Sequence, residues 1–147
     1  MTDTINKTEI DALNDVTKVL IDSRKGYEKC AELSDESFAF RTQFQKRASD
    51  RAALISRFQQ QVRTLGGETQ TEGGTLGSLH RALTEFSSMF QDDRKAALEA
   101  IDDGEEHLAD SIKDRLEKSE VQGQSRALLE EAYSSARSGE AFADSLG

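Results

Sequence analysis

The stretch that decides the fold is Phe40–Gly67, FRTQFQKRASDRAALISRFQQQVRTLGG. At about 100° per residue, Phe40, Phe44, Ala48, Ile55, Phe58, Val62 and Leu65 fall on one side of a helix, with polar side chains on the other. Such a segment buries one face and leaves the other to water. Gly66-Gly67 ends it, because glycine enters the left-handed C-terminal turn at little steric cost. One charge breaks the pattern. Arg51 lies between Phe44, Ala48, Ile55 and Phe58 on the wheel, near the centre of the apolar stripe, where an isolated charge is costly.

Upstream, Leu13, Val16, Leu20, Tyr27 and Ala31 draw the stripe of a first helix from about residue 7 to 33, with Ile10 and Ile21 at its edge. Ser34-Asp35-Glu36 supplies a cap and two acids for the start of the second helix, so the two form a tight antiparallel hairpin. Each helix is roughly 40 to 45 Å long at 1.5 Å per residue, the dimension of a bundle. Downstream, Gly66–Thr75 (GGETQTEGGT) has no periodicity and reads as a flexible connection. Leu76, Leu79, Leu83, Phe86 and Phe90 then mark a short helix ending near Gln91. Asp92-Asp93 starts another, whose stripe runs through Leu98, Ile101, Leu108, Ile112 and Leu116 to about Lys118. After Ser119 or Glu120, a last helix carries Val121, Leu128, Ala132, Phe142 and Leu146. Residues 66–91 are enough chain to travel the length of a bundle, so the second helix and the 92–118 helix are expected to lie parallel. The expected fold is therefore all-α: a ferritin-like four-helix bundle, with a short extra helix in the long crossover between the second and third long helices. Residues 1–147 are expected to form one domain.

Composition agrees. The 147 residues include no proline, where average usage would give about seven, so nothing of that kind interrupts the helices. A formal charge of -9 disfavours nucleic acid, whose phosphates need clustered cations. No window is apolar enough to span a membrane. Met1-Thr-Asp-Thr-Ile lacks the basic and then apolar run of a signal peptide, so a cytoplasmic location is expected. Cys30, the single cysteine, cannot form an internal disulfide, which agrees with a reducing compartment.

The residues to watch are charges on buried faces. Glu105 lies at i+4 from Ile101 and i-3 from Leu108, so it points inward like Arg51, and the two are expected to meet across the bundle interior. Arg24, at i+4 from Leu20 and i-3 from Tyr27, is expected to complete that layer; Glu28, off the stripe, is a weaker candidate. Ser135 and Gly139 leave space beside it on the last helix. A ferritin-like metal centre needs Glu-x-x-His on two helices. Gly77 stands three residues before His80, and Gly104 before His107, so that motif is absent. His107 lies opposite its apolar stripe, beside Asp103 and Asp110, on a solvated face. The glycine pairs at 66-67 and 73-74 follow no strand and read as hinges rather than a phosphate-binding loop. The sequence assigns no catalytic residue, no metal and no cofactor.

Gly26-Tyr27-Glu28, Asp50-Arg51, Leu65-Gly66-Gly67-Glu68, Leu79-His80-Arg81 and Gly104-Glu105-Glu106 together give the chain a resemblance to small bacterial ferritin-like four-helix-bundle proteins classed as a domain of unknown function. The resemblance covers nearly the whole chain and implies a ferritin-like bundle in a bacterial cytoplasm, with a loose link to stress. The chain departs from that pattern at Arg24, Glu106 and Ile112, and lacks a histidine on the last helix, which weighs against a metal site. The expected role is that of a non-enzymatic interaction or structural protein, possible as a homodimer, with neither nucleic acid nor membrane as partner. The alternative is an iron-binding ferritin-like protein using Glu105 and Glu28.

Overall fold

The computed structural model describes residues 2–33, 38–73, 94–118 and 121–146. They form four helices: α1 (Thr2–Leu33), α2 (Phe38–Thr64), α3 (Arg94–Glu117) and α4 (Gly123–Leu146). There is no strand among them. The first helix begins five residues earlier than its apolar stripe indicates, at Thr2 rather than Lys7, because nothing in that polar stretch stops a helix. The short helix expected over 76–91 lies outside the described residues.

Side-chain bridges give the helix directions. Asp15 meets Arg115 at 2.5 Å while Ser23 meets Glu105, so α1 and α3 run antiparallel. Gln61 reaches Ser125, Arg57 reaches Glu131 and Arg51 reaches Ser135, so α2 and α4 also run antiparallel. Tyr27 packs on Phe44 while Asn14 binds Glu68, which sets α1 against α2 in the same sense. It follows that α2 and α3 are parallel, at opposite corners, and that one long connection must carry the chain from one end of the bundle to the other.

That connection starts with a left-handed turn. Gly66 has φ +88°, its N–H donates to the Arg63 carbonyl and the Gly67 N–H to Val62, which satisfies the last carbonyls of α2. A side chain at Gly67 would begin 2.7 Å from Ile10 Cγ2, so the chain turns here tight against α1. The segment expected to be a flexible connection is held over its described part. The Asn14 side chain donates to the Glu68 carbonyl at 2.9 Å and accepts from the Gln70 N–H at 3.1 Å, and Gln59 donates to the Gln70 carbonyl. The amide of one α1 residue thus does for the crossover backbone what a neighbouring strand would do, a pairing that local composition does not reveal.

The core is a continuous column. Leu13, Val16 and Leu20 of α1, Ile55, Phe58 and Val62 of α2, Leu108 and Ile112 of α3, and Leu128, Leu129 and Ala132 of α4 are all buried. Full burial of side chains of this size contributes about 1.5–3 kcal/mol each. At the N-terminal end of α4, Glu9 accepts the backbone N–H of Gln122 at 3.0 Å, so a carboxylate from α1 caps the positive end of another helix. At the far end Tyr27, Phe44 and Phe142 form an aromatic cluster, with Phe44 edge-on to Phe142 at 5.7 Å. A polar layer lies between column and cluster. Among the described residues no helix is long and apolar enough to cross a membrane.

Candidate functional site

The polar layer is built from one side chain of each helix. Arg51 of α2 is 1% exposed, and Glu105 of α3 is 3% exposed, so both charges are withdrawn from water. Their contact is bidentate: Nη1 to Oε1 at 2.8 Å and Nη2 to Oε2 at 2.5 Å, the parallel geometry in which guanidinium and carboxylate bind best. Ser23 of α1 accepts from Arg51 Nη1 at 2.6 Å and lies 3.4 Å from Glu105 Oε1. Ser135 of α4 accepts twice, its hydroxyl from Nε at 3.3 Å and its carbonyl from Nη2 at 3.2 Å. A guanidinium has five N–H groups, and these five contacts employ all of them. The cost of burying two charges is met by a fully bonded network, the condition under which a buried pair is tolerated.

Gly139 supplies the space. A Cβ there would fall 1.5 Å from Glu105 Oε2, so the carboxylate occupies the volume of the side chain that α4 lacks. Gly26 and Gly104, one turn from Ser23 and next to Glu105, have nothing within 4 Å of the same position. Of these three helical glycines, only Gly139 is required by packing.

Tyr27 borders the pair, with the Arg51 guanidinium carbon 5.7 Å from its ring centroid. Its hydroxyl is buried and has no hydrogen-bond partner among the described residues. Burial first, and then the negative charge of Glu105, holds the phenol well above its ordinary pKa of 10.0. One turn on, Cys30 is buried, and desolvation likewise holds its thiol above the ordinary 9.0, so it is no thiolate nucleophile at neutral pH.

Of the expected site residues, Arg51 and Glu105 come together. Arg24 and Glu28 do not join them. Arg24 pairs with Glu28 at 2.6 Å on the surface, where their side chains are 47% and 52% exposed. The reason lies in the rows of α1. Leu13, Leu20 and Tyr27 form one central row, and Val16, Ser23 and Cys30 the other; Arg24 belongs with Thr17 and Ala31 on the flank. Short side chains on that flank are buried, whereas a long one extends past the edge to water. Ser23 takes the place expected for Arg24. Its signal was available in the seven-residue spacing from Val16 and to Cys30.

Glu28 instead lines a groove of about 400 Å³ between α1 and α2, together with Ala31, Glu32, Arg41, Gln45 and Ala48. Its acids are engaged at the rim, Glu28 by Arg24 and Glu32 by Lys29 at 3.7 Å. Asp103, His107 and Asp110 are exposed on the outer face of α3, and His80 lies outside the described residues. Among the described residues no group of three or more His, Cys, Asp or Glu side chains is placed to hold a metal ion.

The model of one protein family matches residues 8–118, and the chain belongs to that family, the domain of unknown function DUF2383. The matched stretch contains Ser23, Arg51 and Glu105; Ser135 and Gly139 lie on α4, beyond it. No curated protein and no solved structure matches the chain.

Proposed function

We propose that this member of the DUF2383 family is a cytoplasmic, ferritin-like bundle, with a short helix in its crossover, that acts by association through its helix faces and carries out no chemistry in its core. One observation carries this reading: the interior position at which a carboxylate bundle would build a metal centre is filled by the protein's own cation. Both oxygens of Glu105 are bonded to Arg51, and all five N–H groups of Arg51 are used within the layer. The α4 backbone at Gly139 closes the remaining side. A divalent ion would have to displace a guanidinium at 2.5 Å from the carboxylate and leave that second cation buried and unpaired, which is costly. The polar layer on this reading sets the register of four helices, a role buried ionic groups serve in coiled coils.

Iron titration followed by metal analysis tests the proposal. The expected result is no stoichiometric binding, with folded Glu105→Ala holding no less metal than wild type. Tight binding of iron at a fixed stoichiometry, lost in Glu105→Ala, would establish the iron-binding alternative in its place.

A further inference from the structure

The exterior of the bundle is divided by charge along its diagonal. Outside the buried pair, α2 carries Arg41, Lys46, Arg47, Arg57 and Arg63 against Asp50 alone, in a chain of net charge -9. Its outward strip is uncharged, with Thr42, Ser49, Ala53, Ser56 and Gln60 exposed, and Lys46, Asp50 and Arg57 lie along one margin, two cations to one acid. On α3 the outward face is acidic: Asp103, Glu106, Asp110, Asp114 and Glu117 are exposed at successive spacings of three or four residues. Like charges at such spacings weaken a helix slightly, an effect that the exposed pairs of Glu117 with Lys113 and Asp114 with Lys118 offset only toward its C-terminal end.

We propose that the outward face of α2 docks the acidic face of α3 from a second copy of this chain, so that copies assemble head to tail. This rests on the reading of the protein as one that acts by association, and it names the surface and the partner. The spacing of charge supports it. Lys46 and Arg57 are eleven residues apart, as are Asp103 and Asp114, and Glu106 and Glu117. Eleven residues are close to three helical turns, about 16 Å, so each pair lies in one row along its own helix. Between Lys46 and Arg57, the residues Ser49, Ala53 and Ser56 are short and let a neighbouring helix come close, and the exposed Asp50 on the same margin leaves Lys46 and Arg57 one net positive charge over it. Arg57 also reaches Glu131, and Asp114 reaches Lys118, both in exposed pairs that are worth little and can be shared.

The fold sets the outcome of such docking. Because α2 and α3 occupy opposite corners, a copy engaged through α2 still presents its α3 face. The contact is heterologous, and it propagates unless the rotation between copies closes a ring.

Sedimentation velocity over a concentration series tests this, at about 10 mM and about 1 M salt, where screening differs severalfold in range. The wild type is expected to grow in size with concentration at low salt and to be monomeric at high salt. The variants K46E/R57E and D103K/D114K should each lose association at least tenfold while keeping wild-type circular dichroism. Their equimolar mixture should assemble again, since each supplies the charge that the other now needs. Failure of the mixture to assemble, or a closed dimer of fixed size in wild type, would overturn the proposal. Assembly that persists in both variants would place the contact on another face and leave the broader reading intact. A wild type that is monomeric under every condition would remove self-association altogether.

Discussion

Arg51→Ala is the most informative single change in this molecule. It removes five hydrogen bonds and leaves the Glu105 carboxylate, 3% exposed, beside apolar side chains and the Tyr27 ring. Removing one partner of a buried pair costs about 3–5 kcal/mol, against a total stability of about 5–15 kcal/mol for a typical domain. With a urea dependence of about 2 kcal/mol per molar for a chain of this size, the midpoint should fall by about 2 M. In thermal unfolding the fall should be about 10 °C or more. The control is Lys46→Ala, on the opposite, exposed face of the same helix, which should stay within about 0.5 kcal/mol. Urea titration followed by far-ultraviolet circular dichroism measures both. The double variant Arg51→Met/Glu105→Leu extends the test: replacing both charges with apolar groups of similar length should return stability to within about 1 kcal/mol of wild type or above it. Equal midpoints for Arg51→Ala and Lys46→Ala would refute the reasoning, because they would mean that the pair is accessible to water.

Two further outcomes follow from the same layer. Gly139→Ala forces the Glu105 carboxylate out of its place and should destabilise by at least the 1–3 kcal/mol typical of overpacking, roughly, whereas Gly104→Ala, with open space around it, should stabilise by about 0.5–1 kcal/mol; equal effects in urea titration would show that the carboxylate can move freely. Alkaline stability is set in part by Tyr27 and Cys30, whose protons are held above their ordinary values of 10.0 and 9.0 in the folded state. The unfolded chain releases those protons first, so the stability they confer is complete below pH 9 and declines as pH rises through that range and beyond, at about 1.4 kcal/mol per pH unit for each group. Tyr27→Phe should remove one of these slopes, and stability curves for wild type and variant that stay parallel from neutral to alkaline pH would contradict it.

How much of this was legible in the sequence differs from element to element. The apolar rows of α2 and the Gly66-Gly67 stop appear in the structure as read, because helical periodicity and left-handed glycine turns are local properties. The inward aim of Arg51 and Glu105 was legible for the same reason: each sits among apolar neighbours at helical spacing. The position of Arg24 was not. On a wheel it shares the stripe, and only the arrangement of the neighbouring helices shows that its row is the flank. Glu9 capping α4 and Asn14 holding the crossover involve partners more than fifty residues away, so no window of sequence contains them.

The two charges of the buried pair belong to different hairpins, Arg51 to α1–α2 and Glu105 to α3–α4. Neither hairpin can neutralise its own charge with these partners. Docking in a wrong register would bury each ion without its partner, and that state is penalised from both sides. The pair acts beside other bridges between the hairpins, Asp15 with Arg115, Gln61 with Ser125 and Glu9 with the Gln122 N–H, which favour the same register. The pair makes misregistered docking costly and native docking satisfied, so each hairpin's charge is neutralised only by the other.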